Sequence, residues 1–217
     1  MGFQSVSEKS VTSSTDKAYE YMKSAVMQGD LKAGDRVKEA QIAEAIGVSR
    51  TPIRHALQKL AAQGFLEMLH HQGARVVDWS SQDLSEITDL RALLEGFGAG
   101  VAADKITKVG LETLRDLAHQ MEAAAKRAEP DDLEAITGLN SQFHMTIITA
   151  SENRRLADVI GNLAHPLLVR RRFSSFNEER LRRSMNHHRE IIDALDAGDT
   201  DWATAIMRSH ILASARE

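Results

Sequence analysis

The sequence predicts a mainly α protein: an N-terminal winged helix-turn-helix followed by a C-terminal all-α antiparallel helical bundle. Three observations lead there. Only three prolines occur in 217 residues, at 52, 130 and 166, and helix-favouring Ala, Leu, Glu and Arg dominate after residue 80. Before that point, three short amphipathic stretches closed by glycines precede a pair of strand-like runs. Between them, GVSRTPIRHAL (47–57) starts a helix with two arginines one turn apart.

Each element follows from local chemistry. Residues 1–13 read as a disordered polar tail. A first helix spans about Asp16 to Gln28, with Ala18, Met22, Ala25 and Val26 on one face. A second spans about Glu39 to Ile46, closed by Gly47. Ser49 caps the third, where Pro52 is tolerated because first-turn N–H groups lack intrahelical partners. Its buried stripe is Ile53, Leu57 and Leu60, and Gly64 ends it. Phe65–Leu69 and Ala74–Asp78 read as strands joined by residues 70–73, which makes the wing. The winged domain is therefore 14–79. Ser80 or Ser81 caps the first helix of a second domain, 80–217, built of successive amphipathic helices.

Bulk composition narrows the function. There is no cysteine, which removes disulfides and thiolate chemistry. The N-terminal residues lack the apolar stretch of a signal peptide, and no apolar run is long enough for a bilayer, so a cytoplasmic protein without membrane contact is expected. Net charge is −4, yet no acid occurs between Glu44 and Glu67 while Arg50, Arg54 and Lys59 do. Local charge decides what a surface touches, so the acidic total leaves DNA open as a partner.

The third helix is the DNA reader. Arg50, Thr51, Arg54, His55 and Gln58 fall opposite its buried stripe. In a winged helix-turn-helix this N-terminal turn enters the major groove, where Arg50 and Arg54 have the geometry for guanine edges or phosphates. Ser49 and Thr51 are placed to donate to phosphates. On the wing, Arg75 with His70 or His71 reaches the minor groove or its phosphates; Arg36 and Gly73 complete the expected DNA-binding set.

At this point the chain resembles the GntR family of bacterial transcription regulators. The run GDLKAGDRVKEAQIAEAIGVSRTPIRHALQKLAAQGFLEMLHHQGARVV follows that family's pattern across residues 14–78. Ala33 replaces the turn proline, and His55 replaces a usual glutamate, which removes a negative charge near DNA. The C-terminal part resembles the helical ligand-binding (FCD) domain of the FadR subfamily. That resemblance implies six or seven helices, a homodimer on pseudo-palindromic operator DNA, and an effector cavity that often contains a metal.

Three family-matching motifs carry histidines: LNSQFHMTI (139–147), NHHREIIDAL (186–195) and DWATAIMRSHI (201–211). They place Asn140, His144, His188 and His210 on apolar helix faces. A single such histidine is more often a hydrogen-bonded core residue. Three at family-matching positions point to a shared divalent metal, zinc first and nickel second. The family has aspartate where this chain has Asn140, a neutral and weaker ligand. Arg91, which matches a family arginine, and Arg171 and His165 are candidates for binding a small carboxylate effector; His187 is the adjacent alternative to His188.

The resulting expectation is a ligand-responsive, metal-containing repressor. A metal-free regulator whose histidines hold an anionic effector directly is the alternative that Asn140 favours. A metal-dependent hydrolase carrying a DNA-binding module is disfavoured, because no H-E-x-x-H motif and no general base accompany the histidines.

Overall fold

A computed structural model describes residues 13–70, 72–127, 129, 132–163, 173 and 176–215. The chain divides into two compact units, Met1–Trp79 and Ser80–Glu217. The expected tail lies outside the described residues except for Ser13. That residue is part of a helix start: its Oγ accepts from the Asp16 backbone N–H at 3.0 Å.

The first unit contains α1 (Ser14–Gln28), β1 (Arg36–Val37), α2 (Glu39–Ile46), α3 (Arg50–Ala62), β2 (Leu66–Leu69) and β3 (Gly73–Val76). Ala18, Met22 and Val26 of α1 pack with Ile53, Leu57 and Leu60 of α3 in one buried core. The sheet order is β1-β3-β2, all antiparallel, with Arg36 opposite Arg75 and Leu66 opposite Val76. Strand β1 was not expected, since two residues carry no alternation. It closes onto the wing at Gly73, whose φ is +84° and where an added Cβ would lie 2.5 Å from the Val37 carbonyl oxygen. Only glycine fits there.

The second unit has six helices among the described residues: α4 (Ser81–Ala103), α5 (Lys108–Arg127), α6 (Asp132–Ala150), α7 (Arg154–Leu163), α8 (Glu178–Asp196) and α9 (Thr200–Ala215). Ser80 and Asp83 form a reciprocal capping box that sets the start of α4. Helix α4 is the spine, packed against α6, α7, α8 and α9, while α5 packs on α6 and α8. Its small residues allow close approach. A Cβ at Gly96 would meet the Arg208 side chain, and one at Gly100 would meet Thr204 Oγ1. Phe143, Leu114, Met121, Ile147, Ile191, Leu195 and Met207 fill the core. The facing sides of α4, α6, α8 and α9 then bring polar groups into this apolar interior.

Candidate functional site

In the first unit, a groove of about 860 Å³ runs between the start of α3 and the wing. Arg36, Arg50 and Arg54 line it, with Gln72 and Gly73 on the wing side. Arg50, Thr51, Arg54, His55 and Gln58 are all exposed, opposite the buried stripe of α3. Ser49 occupies the N-cap position, but its side chain makes no capping hydrogen bond, contrary to the sequence expectation. The first-turn N–H groups of α3 therefore lack that side-chain partner, the arrangement that suits an incoming phosphate. His71 lies outside the described residues.

The fold supplies acids that the linear charge pattern hides. Glu39, at the start of α2, grips Arg54 with two bonds, Nε to Oε1 at 2.8 Å and Nη2 to Oε2 at 3.0 Å. Arg54 remains 62% exposed while Glu39 is 18% exposed, so the acid sits behind the guanidinium. This two-toothed bond lowers the Glu39 pKa and raises that of Arg54. Arg75 pairs with Glu67 across the hairpin at 3.5 Å.

In the second unit, His144 on α6, His188 on α8 and His210 on α9 are buried with one ligand atom each, all within 4.8 Å of one another. Asn140 lies one turn before His144 on α6 and is also buried. Asn140 Oδ1, His144 Nε2, both nitrogens of His188 and Nδ1 of His210 are buried without a hydrogen-bond partner. Unpartnered buried polar atoms are costly and rare, and those of the three histidines gather in one place. Burial, followed by the neighbouring imidazoles, holds His188 and His210 well below the usual histidine range, so both are neutral lone-pair donors. His187 is only partly buried, its ring 5.8 Å from that of His210, and it stays outside the group of three. The donors present fit a divalent metal ion.

A residue that sequence reasoning missed orients this cluster. Glu95 of α4 is fully buried; its Oε1 accepts from Arg91 Nε at 2.6 Å and its Oε2 lies 2.6 Å from His144 Nδ1. Burial alone would raise its pKa, but the charges of Arg91 and His144 win and hold it at about 2. An ionised carboxylate only accepts, so His144 Nδ1–H is the donor, and Nε2 is the nitrogen left without a hydrogen-bond partner. This carboxylate–imidazole arrangement is how proteins aim a metal-binding histidine. Arg91 is thus committed to Glu95, at the edge of the cluster. Arg171 and His165 lie outside the described residues.

A winged helix-turn-helix with a cationic groove, followed by a helical unit around a buried polar cluster, is the architecture of a DNA-binding transcription regulator with a second, helical domain. The comparisons with known proteins agree. Residues 14–76 match "Bacterial regulatory proteins, gntR family", and residues 86–213 match "FCD domain". The chain is 32% identical over 87% of its length, and 81% of the relative's, to a "Probable D-xylose utilization operon transcriptional repressor" of Paenarthrobacter nicotinovorans. It is 27% identical to the "HTH-type transcriptional regulator LutR" of Bacillus subtilis, covering 86% of this chain and 92% of that one. The solved structure of "E. coli McbR/YncC" shares the fold, with TM-score 0.74, 24% identity, and coverage of 92% of this chain and 94% of that one. The protein belongs to the GntR family of transcriptional regulators, in the branch with an FCD domain, and is not an enzyme.

Proposed function

We propose that the protein is a cytoplasmic, ligand-responsive repressor. A homodimer binds a pseudo-palindromic operator, and each helical unit binds a small organic acid at or beside a divalent metal, zinc before nickel. The observation that carries this reading is the set of buried, unpartnered donor atoms on Asn140, His144, His188 and His210. Those residues would hold the ion; when bound, it supplies a Lewis-acidic point that fixes a carboxylate. Repression is supported by the relatives whose names state it, the D-xylose utilization and gluconate operon repressors.

At the DNA, Arg50 and Arg54 read base edges, with His55 and Gln58 beside them. Ser49, Thr51, Arg36, Gly73 and Arg75 meet the backbone and the adjacent groove. One recognition helix per chain calls for two copies on a twofold site. A second copy is supported by an apolar stripe on α4, where Leu90, Leu93 and Phe97 are 48%, 57% and 54% exposed at helical spacing. The acid releases DNA by favouring a dimer arrangement whose recognition helices no longer match the half-site spacing. No helix among the described residues is long and apolar enough to cross a membrane.

The test is operator selection from genomic fragments, then titration of the isolated complex with a panel of small organic acids before and after chelation. A twofold-symmetric footprint, released by an acid only in the metal-loaded protein, is expected. Release that survives extensive chelation would establish the metal-free alternative.

A further inference from the structure

We infer that this chain's metal site is anion-dependent: its donor set carries no charge, so metal and a carboxylate bind together or weakly apart. The inference rests on the metal reading above and concerns how Asn140 and Glu95 shape it. Among the described residues, the unpartnered ligand atoms that meet at the cluster belong to three imidazoles, with the buried, unpartnered Asn140 amide oxygen one helical turn before His144. Among the described residues, the group of mutually reachable ligands contains three histidines and no acid. The carboxylate that touches the cluster, Glu95, is withheld. Both Glu95 oxygens are already taken, by Arg91 and by His144, and the Arg91–Glu95 pair sums to zero charge.

A divalent cation entering this buried, neutral site keeps its full charge, and a three-histidine site balances it through the group in its open position, water ionising to hydroxide or an anion. An aspartate at position 140 would remove half of that charge from within the protein. With Asn140 the compensation has to arrive with a ligand. Cationic groups border the cluster beside His210. His187 and His210, with Arg180 and Arg183, line a cleft of about 10 Å³, room for one water-sized group. Arg180 Nε is buried there without a partner. Its Nη2 donates to the Ser214 carbonyl at 3.2 Å and its guanidinium lies 4.7 Å over the Phe176 ring, which leaves Nε as its unpartnered donor beside His210. Reciprocal linkage then requires the ion to raise anion affinity by the same factor as the anion raises the ion's.

The experiment uses the full-length protein and acetate as the probe. Zinc affinity is measured by competition with a chromophoric chelator, at matched free zinc, in perchlorate alone and with saturating acetate. Acetate should tighten zinc binding of the wild type by about tenfold or more, the signature of a real coupling free energy. Asn140→Asp should bind zinc tightly in perchlorate and lose most of the acetate effect. Arg180→Gln should shrink the acetate effect. Equal zinc affinity of the wild type in both buffers would overturn the inference while leaving the metal site standing. No zinc binding in either buffer, by wild type or by Asn140→Asp, would overturn the metal reading along with it. The wild-type comparison decides the matter even where a variant fails to fold.

Discussion

Glu95 is where the chemistry of single residues is most exposed to test. Its carboxyl drops from the ordinary value of 4.5 to about 2 in the fold. Its contribution is therefore complete above pH 4.5 and disappears as pH falls toward 2. His188 and His210, held neutral by burial, act in the same direction at higher pH: their neutral forms fit the core, and protonation below the usual histidine range opposes folding. The melting temperature of the metal-free protein should fall steadily as pH drops below about 6.5. A flat profile down to pH 5 would contradict the burial of these rings. Glu95→Ala leaves Arg91 as an unpaired buried charge and should cost about 3–5 kcal/mol, read by denaturant unfolding. Glu95 was legible only in hindsight. It is the one charge in the run Ala92–Ala103, four residues after Arg91, a spacing that on an exposed helix is ordinary decoration. The three histidines were legible because each repeats with its apolar neighbours at helical spacing. The Glu39–Arg54 grip was not, since fifteen residues and a turn separate the pair. It makes its own prediction. Arg54→Ala should abolish operator selectivity with the melting temperature almost unchanged, because the side chain is exposed. Glu39→Gln should free Arg54, raise affinity for random-sequence DNA and narrow the gap to the operator, as read by fluorescence anisotropy over a salt series.

At the scale of elements, the approach of α4 to α9 decides whether the cluster assembles. Gly100 faces Thr204, whose hydroxyl bonds back to the Thr200 carbonyl at 2.7 Å. An exposed helical glycine gains stability on conversion to alanine, but here the added methyl overlaps a packed neighbour. Gly100→Ala should therefore destabilise by about 1–3 kcal/mol, and adding Thr204→Ala should recover part of the loss. A stabilising Gly100→Ala would show that the two helices do not meet as described. The helices themselves were readable from sequence, because their stripes are long and their ends marked: Ser80 or Ser81 before α4, which the structure resolves to Ser80 with Asp83, and Gly47 after α2. Short elements were less readable. Strand β1 is two residues long, and its pairing with β3 is set by the tertiary contact at Gly73 rather than by any pattern of its own. The capping role expected of Ser49 failed for a related reason. Its position suits a cap, but the hydroxyl makes no capping bond, which leaves the start of the recognition helix open to phosphate.

For the whole molecule, the regulation proposed above calls for two copies and a ligand that prefers one of their arrangements. Leu93→Glu with Phe97→Glu places two acids on the exposed stripe of α4. Sedimentation should then show a monomer with intact helical signal and greatly weakened operator binding, whereas an unchanged dimer would move the interface elsewhere. The central claim is that Asn140, His144, His188 and His210 form a metal site that anchors the effector. It is tested most directly by metal content, measured by mass spectrometry on untagged wild-type protein beside His144→Ala/His188→Ala, both after incubation with zinc and acetate. About one zinc per wild-type chain and none in the variant is the predicted result. No metal in either, or equal metal in both, would contradict the account.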